Sequence, residues 1–287
     1  MNAEFEGGDA AARFRQEHGL GVQPMGDLVA IVEQTTGIDV AVLDADRDEH
    51  GLTMRDPRRD TVLIGVARTL NPMRQRSSLA HELGHVQFGD WAATDAGNWS
   101  DRSPAEVRAD AFARHLLVPL PGLTGFLGDA APMGLATLSA VVQRFLVSPA
   151  MAAIALHQAG YINAATKAEW RTLTTPQLAT RFGWSDQYQA LQADSDRRRA
   201  PQRLLARAIK GYEEGVVSAQ AIATLRGISV EAATEELWDA GVMPPETRLS
   251  WADPTEIPDV AVDWEALDHD VNGPAPDPAT PAETDHD

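Results

Sequence analysis

The sequence predicts an α+β fold: a small antiparallel or mixed sheet beside a helical core, followed by a mainly helical C-terminal region. Three observations predict it. Short runs rich in Val, Ile and Leu stand at 38–43 and 61–66, with a third candidate strand at 52–55. From residue 71 onward helix punctuation recurs, with capping residues, prolines in first turns and glycines past last turns. Alanine and leucine, both good helix formers, recur through the same stretch.

The elements follow in order. Residues 27–36 read as the end of a helix closed by Gly37. The two apolar runs and the 52–55 candidate supply the sheet. Asn71-Pro72 opens a long helix reaching about Phe88, with proline in the first turn, where its missing N–H costs least. The next helix starts after Ser103-Pro104, with Ser103 as its cap, and ends before Pro119. The pattern stays helical to about Gly241.

Two later segments, 138–160 and 218–241, each read as helix, tight turn, helix, with breaks at 146–149 and 227–229. Such pairs can read DNA. Here the second helix of the first pair carries no Lys or Arg, and that of the second carries Glu231, Glu235, Glu236 and Asp239 without a cation. Phosphate would be repelled, so packing or protein contact is expected in place of specific DNA binding.

Charge is uneven along the chain. Of a formal net charge of −18, the stretch 250–287 contributes 11 acidic residues and no Lys or Arg, and it holds six prolines. Such a composition cannot bury enough apolar surface to offset chain entropy, so a disordered acidic tail is expected there. Setting it aside leaves −7 for residues 1–249. The one basic cluster, Arg197-Arg198-Arg199 with Arg203, Arg207 and Lys210, reads as a solvated helix face; the alternative is a docking patch for an acidic partner such as the tail.

The 287 residues include no cysteine, which excludes disulfides, thiolate-held metals and cysteine nucleophiles. No uninterrupted apolar stretch reaches the ~18 residues of a membrane span. The N-terminal residues lack an apolar run behind a basic start, so no secretory leader is expected and the cytoplasm is the expected location.

The chemistry concentrates in His81-Glu82-Leu83-Gly84-His85. On a helix, His81 and His85 lie one turn apart on one face, so both imidazoles can reach one cation. Glu82 sits about 100° round from His81, close enough to address a water on that cation. A catalytic metal site wants a third protein ligand and an open position. The next helix offers Glu106 and Asp110 at i and i+4, on one face. Glu106 is read as the third ligand and Asp110 as acceptor for the free N–H of a ligating histidine. His115, nine residues past Glu106, lies about 180° away and is read as surface. Phe112, Ala113, Leu116 and Leu117 form the stripe that packs this helix on the core.

Two blocks together resemble the ImmA/IrrE metallopeptidases: residues 76–85, RSSLAHELGH, and 106–119, EVRADAFARHLLVP. A weaker third feature is Val147-Ser148 ahead of the helix to Leu156. The resemblance implies a zincin-like core within a metallopeptidase domain at 1–165 that includes the helix-turn-helix-like segment 138–160. A helical region at 166–249 and the tail at 250–287 follow. It also implies a zinc endopeptidase with His81, His85 and Glu106 as ligands and Glu82 as catalytic base; manganese or iron(II) also suit this donor set. The family's known members cleave XRE-type helix-turn-helix repressors, relieving repression of mobile-element or stress genes, so such a repressor is the expected partner. The alternatives are a non-catalytic binding regulator or antitoxin on the same scaffold, and a general intracellular peptidase. No oxyanion-stabilising group is evident; Tyr161 is the one candidate, against an ordinary structural tyrosine.

Overall fold

In the computed structural model, which describes residues 2–45, 51–91, 103–128 and 133–245, a small sheet is arranged around one central strand. β1 (Asp39–Leu43), β2 (Gly51–Asp56) and β3 (Thr61–Ala67) lie in the order β1-β3-β2, with β1 parallel and β2 antiparallel to β3. The sheet is therefore mixed. Its inner face presents Val40, Val42, Ile64 and Val66 to the core, paired Val40↔Ile64 and Val42↔Val66. Period-two alternation carries the same face onto β2 as Gly51, Thr53 and Arg55, because Gly51 stands opposite Val66 and Thr53 opposite Ile64. The expected acidic tail lies outside the described residues.

Helices pack against this sheet, the second and third of the chain among them. α1 (Ala3–Glu17) and α2 (Leu28–Thr36) precede the sheet, and Gly37 closes α2 in the left-handed conformation at φ 69°. α3 (Pro72–Phe88) is capped by the Asn71 side chain, which accepts from Arg74 N–H, and it ends at Gly89 with φ 68°. α4 (Pro104–Leu117) is capped by Ser103, whose hydroxyl accepts from Glu106 N–H. A methyl group at Gly84 would stand 3.1 Å from Ala109 Cα, so this glycine lets α3 and α4 approach backbone to backbone. The close point sets the site: His81 and His85 flank Gly84 as Glu106 and Asp110 flank Ala109.

α1 packs along the far side of α4 through Gly7, Ala10, Ala11 and Phe14. It also corrects the reading of His115 as a surface residue. The imidazole is 18% exposed, and its Nε2 lies 3.1 Å from Glu4 Oε1. Glu4 in addition pairs with Arg114 and accepts from Gln158 Nε2 at 2.7 Å. Partial burial alone would raise the Glu4 pKa, but the bonds to Arg114, His115 and Gln158 outweigh it and hold the carboxyl below its ordinary range. The resulting stabilisation is present above the ordinary glutamate pKa and is lost as pH falls through the depressed folded-state value. Glu4→Gln is therefore expected to melt below wild type at neutral pH, with the gap narrowing in acid and in salt. Thermal scans across pH 3–7 check this; a gap that ignores pH would contradict it.

Beyond α4 the chain is helical throughout the described residues. α5 (Leu120–Leu127), α6 (Leu135–Phe145) and α7 (Pro149–Gln158) come next, with α6 and α7 bent by 106° across a turn in which Leu146 takes φ 53°. Arg76 of α3 secures that turn by donating Nε–H to Leu146 C=O at 3.1 Å. Both helices bury most of their apolar residues, among them Leu138, Val142, Ala152 and Leu156. Among the described residues no single helix is long and apolar enough to cross a membrane.

The C-terminal part holds α8 (Ala164–Trp170), α9 (Thr175–Arg181), α10 (Ser185–Ser195), α11 (Gln202–Glu213), α12 (Ala219–Arg226) and α13 (Val230–Asp239). It is stitched to the sheet by the segment after α10. Val42 and Arg199 exchange backbone hydrogen bonds of 2.9 and 3.1 Å, and Ser195 Oγ donates to Thr69 C=O at 2.7 Å. The basic cluster is used here: Arg199 pairs with Asp27 at 2.9 Å, Arg203 with Asp39 at 3.0 Å and Arg198 with Asp44 at 3.4 Å. These arginines face carboxylates of the N-terminal half, and residues 1–245 form one compact unit.

Candidate metal centre

Helix periodicity brings His81 and His85 to one face of α3, and the Gly84–Ala109 approach brings Glu106 of α4 against them. His81 Nε2 and His85 Nε2 are 3.0 Å apart. Glu106 closes the triangle, with Oε2 3.1 Å from His81 Nε2 and Oε1 3.4 Å from His85 Nε2. Metal–ligand bonds of about 2.0–2.2 Å in a tetrahedron place donor atoms about 3.3 Å apart. Three donors thus stand at the separations one small cation requires, and His81, His85 and Glu106 form a group able to hold a metal ion.

The surroundings prepare these donors. Asp110 Oδ1 lies 2.9 Å from His81 Nδ1. A carboxylate there accepts Nδ1–H, leaving the Nε2 lone pair for a metal. Burial by itself would lower the His81 pKa, but the hydrogen bond and charge of Asp110, with Glu106 and Glu82 nearby, outweigh it and raise the value. Proton and metal therefore compete for this ring, and the carboxylates that favour one favour the other.

Glu82 lies outside the donor group. Its Oε2 accepts a hydrogen bond from Thr53 Oγ1 at 2.7 Å. A methyl group at Gly51 would come within 2.8 Å of Glu82 Cγ and Oε1. The inner face of β2 thus holds the glutamate side chain in place, and only glycine leaves it room at position 51. Sequence reasoning named Glu82 but not the strand residues that fix it, since 52–55 offered only a candidate strand.

Two further residues border the site unannounced by the sequence. Asp90 follows the Gly89 cap and donates its backbone N–H to His85 C=O at 3.0 Å. Arg108 of α4 donates to Asp90 Oδ1 at 2.5 Å and lies over the Phe88 ring at 4.7 Å. The pairing of Gly89 as helix stop with an acid immediately after it was the available signal. Tyr161 stands apart from this constellation among its contacts, with its hydroxyl donating to Gly128 C=O at 3.0 Å.

The arrangement joins two imidazoles and one carboxylate at metal-binding distance with a second carboxylate held beside them, as hydrolysis by a polarised water requires. Comparison with known proteins agrees. Residues 34–157 match the family model of the IrrE N-terminal-like domain, peptidase M78, and the match contains all five of His81, Glu82, His85, Glu106 and Asp110. No curated protein matches the chain.

Proposed function

We propose that this chain, which carries an IrrE N-terminal-like domain of the peptidase M78 family at residues 34–157, is a zinc-dependent endopeptidase of the cytoplasm that cleaves an XRE-type helix-turn-helix repressor. The observation that carries the catalytic reading is the convergence of His81 Nε2, His85 Nε2 and the Glu106 carboxylate within 3.0–3.4 Å, with Glu82 held off that group by Thr53. The donor set fits zinc, and manganese or iron(II) are the other ions it suits. When bound, the metal supplies Lewis acidity toward a water and the scissile carbonyl.

The chain's own residues do the rest. His81, His85 and Glu106 hold the ion. Asp110 keeps His81 in the tautomer with a free Nε2. Glu82 takes the proton from the attacking water as the C–O bond forms, then returns it to the amine nitrogen as the C–N bond breaks. Thr53 donates to one Glu82 oxygen and leaves the other outside that bond.

The repressor substrate, and with it a role in relieving transcriptional repression or in stress response, rests on the likeness of residues 76–85 and 106–119 to repressor-cleaving peptidases. Incubation of the zinc-loaded protein with candidate XRE-type regulators, followed by intact-mass analysis, tests this. Two fragments whose masses sum to the regulator plus one water are expected, with unrelated proteins left whole. An intact regulator would count against the substrate, and indiscriminate cleavage would favour a general peptidase.

A further inference from the structure

We propose that Asp90, clamped by Arg108, is a positioning residue that fixes His85 in the tautomer able to bind metal; the proposal rests on the metal-centre reading above. His85 Nδ1 and Asp90 Oδ2 face each other at 3.5 Å, and both atoms are buried with no hydrogen-bond partner among the described residues. Two buried polar atoms so placed satisfy each other in one way: the carboxylate accepts and Nδ1 carries the hydrogen. Nε2 is then left with its lone pair directed at the His81–Glu106 group. Asp90 does for His85 what Asp110 does for His81.

Arg108 makes this arrangement directional. A guanidinium only donates, so the Asp90 atom it binds, Oδ1 at 2.5 Å, must be an acceptor. The other oxygen is thereby turned to His85, and the backbone bond from Asp90 N–H to His85 C=O prevents the segment from swinging away. Stacking of Arg108 on Phe88 holds the guanidinium from the α3 side.

The clamp gives an ordering that a purely structural role does not. In Asp90→Asn the side chain keeps its shape, but Arg108 claims the amide oxygen and turns the NH2 toward His85 Nδ1. A donor there pairs only with an unprotonated Nδ1, which puts the hydrogen on Nε2, the atom the metal needs. Asp90→Ala removes the acceptor without imposing the wrong tautomer. Losing an outer hydrogen-bond partner typically costs 10–100-fold in metal affinity. Zinc affinity is therefore expected to fall about 10-fold in Asp90→Ala and about 100-fold in Asp90→Asn, the isosteric change being the worse. Adding Arg108→Met frees the amide to turn its oxygen to His85 and should return the double variant toward wild type.

Zinc competition against a chromophoric chelator, with circular dichroism and melting curves on each full-length variant, reads this order. Nitrogen-15 imidazole spectra of the metal-free proteins read the tautomer directly: Nδ1–H at His85 in wild type and Nε2–H in Asp90→Asn. If Asp90→Asn does not fold, the wild-type tautomer and the affinities of Asp90→Ala and the double variant still decide. Zinc affinity in Asp90→Asn equal to wild type, or tighter than in Asp90→Ala, would overturn the proposal, as would a wild-type His85 protonated at Nε2. A wild-type chain that binds no zinc would instead overturn the metal-centre reading, while the tautomer spectra would still judge Asp90.

Discussion

Glu82→Gln is expected to keep about one metal ion per chain and a normal melting curve while cleavage falls by roughly 10²–10⁴-fold, the usual cost of losing a positioned general base. The amide has the shape and volume of the carboxylate, so the close contact with Gly51 is preserved. Thr53 Oγ1, which donates to Glu82 Oε2 at 2.7 Å, can donate to the amide oxygen as well. What the amide cannot do is take a proton from water. Because Glu82 stands outside the His81–His85–Glu106 group, its replacement leaves the ligands intact. Metal analysis beside single-turnover cleavage checks the pair of outcomes. Loss of metal in this variant would mean the ligands are misassigned, and undiminished activity would favour a non-catalytic scaffold.

His85→Ala is expected to lose metal, activity and stability together. The ring is among the buried polar residues of the core and supplies one of the three donors. A ligand that binds only the folded state stabilises it by mass action, by about 4 kcal/mol at a thousandfold excess over Kd. That contribution disappears with the site, so added zinc should raise the melting temperature of wild type and of Glu82→Gln but not of His85→Ala. Chelation of wild type should reproduce the His85→Ala melting curve apart from the cost of the truncated side chain. A zinc-induced shift that survives in His85→Ala would contradict the assignment.

The caps and spacings of α3 and α4 carried the centre from the sequence almost unaided. Asn71-Pro72 and Ser103-Pro104 start the two helices where expected, and the i, i+4 pairs on each supply donors and their neighbours on single faces. Local signals could not reveal what long-range packing decides. Glycines at 7 and 8 obscured α1, yet Gly7 is required because a methyl there would meet the α4 backbone at Arg108 and the Ala111 side chain. With α1 unread, His115 passed for a surface residue. The parallel pairing of β1 with β3 has no sequence signature, because it depends on a contact that skips β2. The arginines of the basic cluster find their partners Asp27, Asp39 and Asp44 more than 150 residues away, so their charge alone suggested solvent or a docking partner. Asp90 carries no signal of its own in the sequence; the Gly89 cap turns it back onto His85.

The most direct measurement is anomalous diffraction at the zinc edge from crystals of the zinc-loaded chain. One peak is expected, within about 2.0–2.2 Å of His81 Nε2, His85 Nε2 and a Glu106 carboxylate oxygen. The Glu82 carboxylate is expected off the metal. A site without a peak, or a peak with Glu82 among its ligands, would contradict the account.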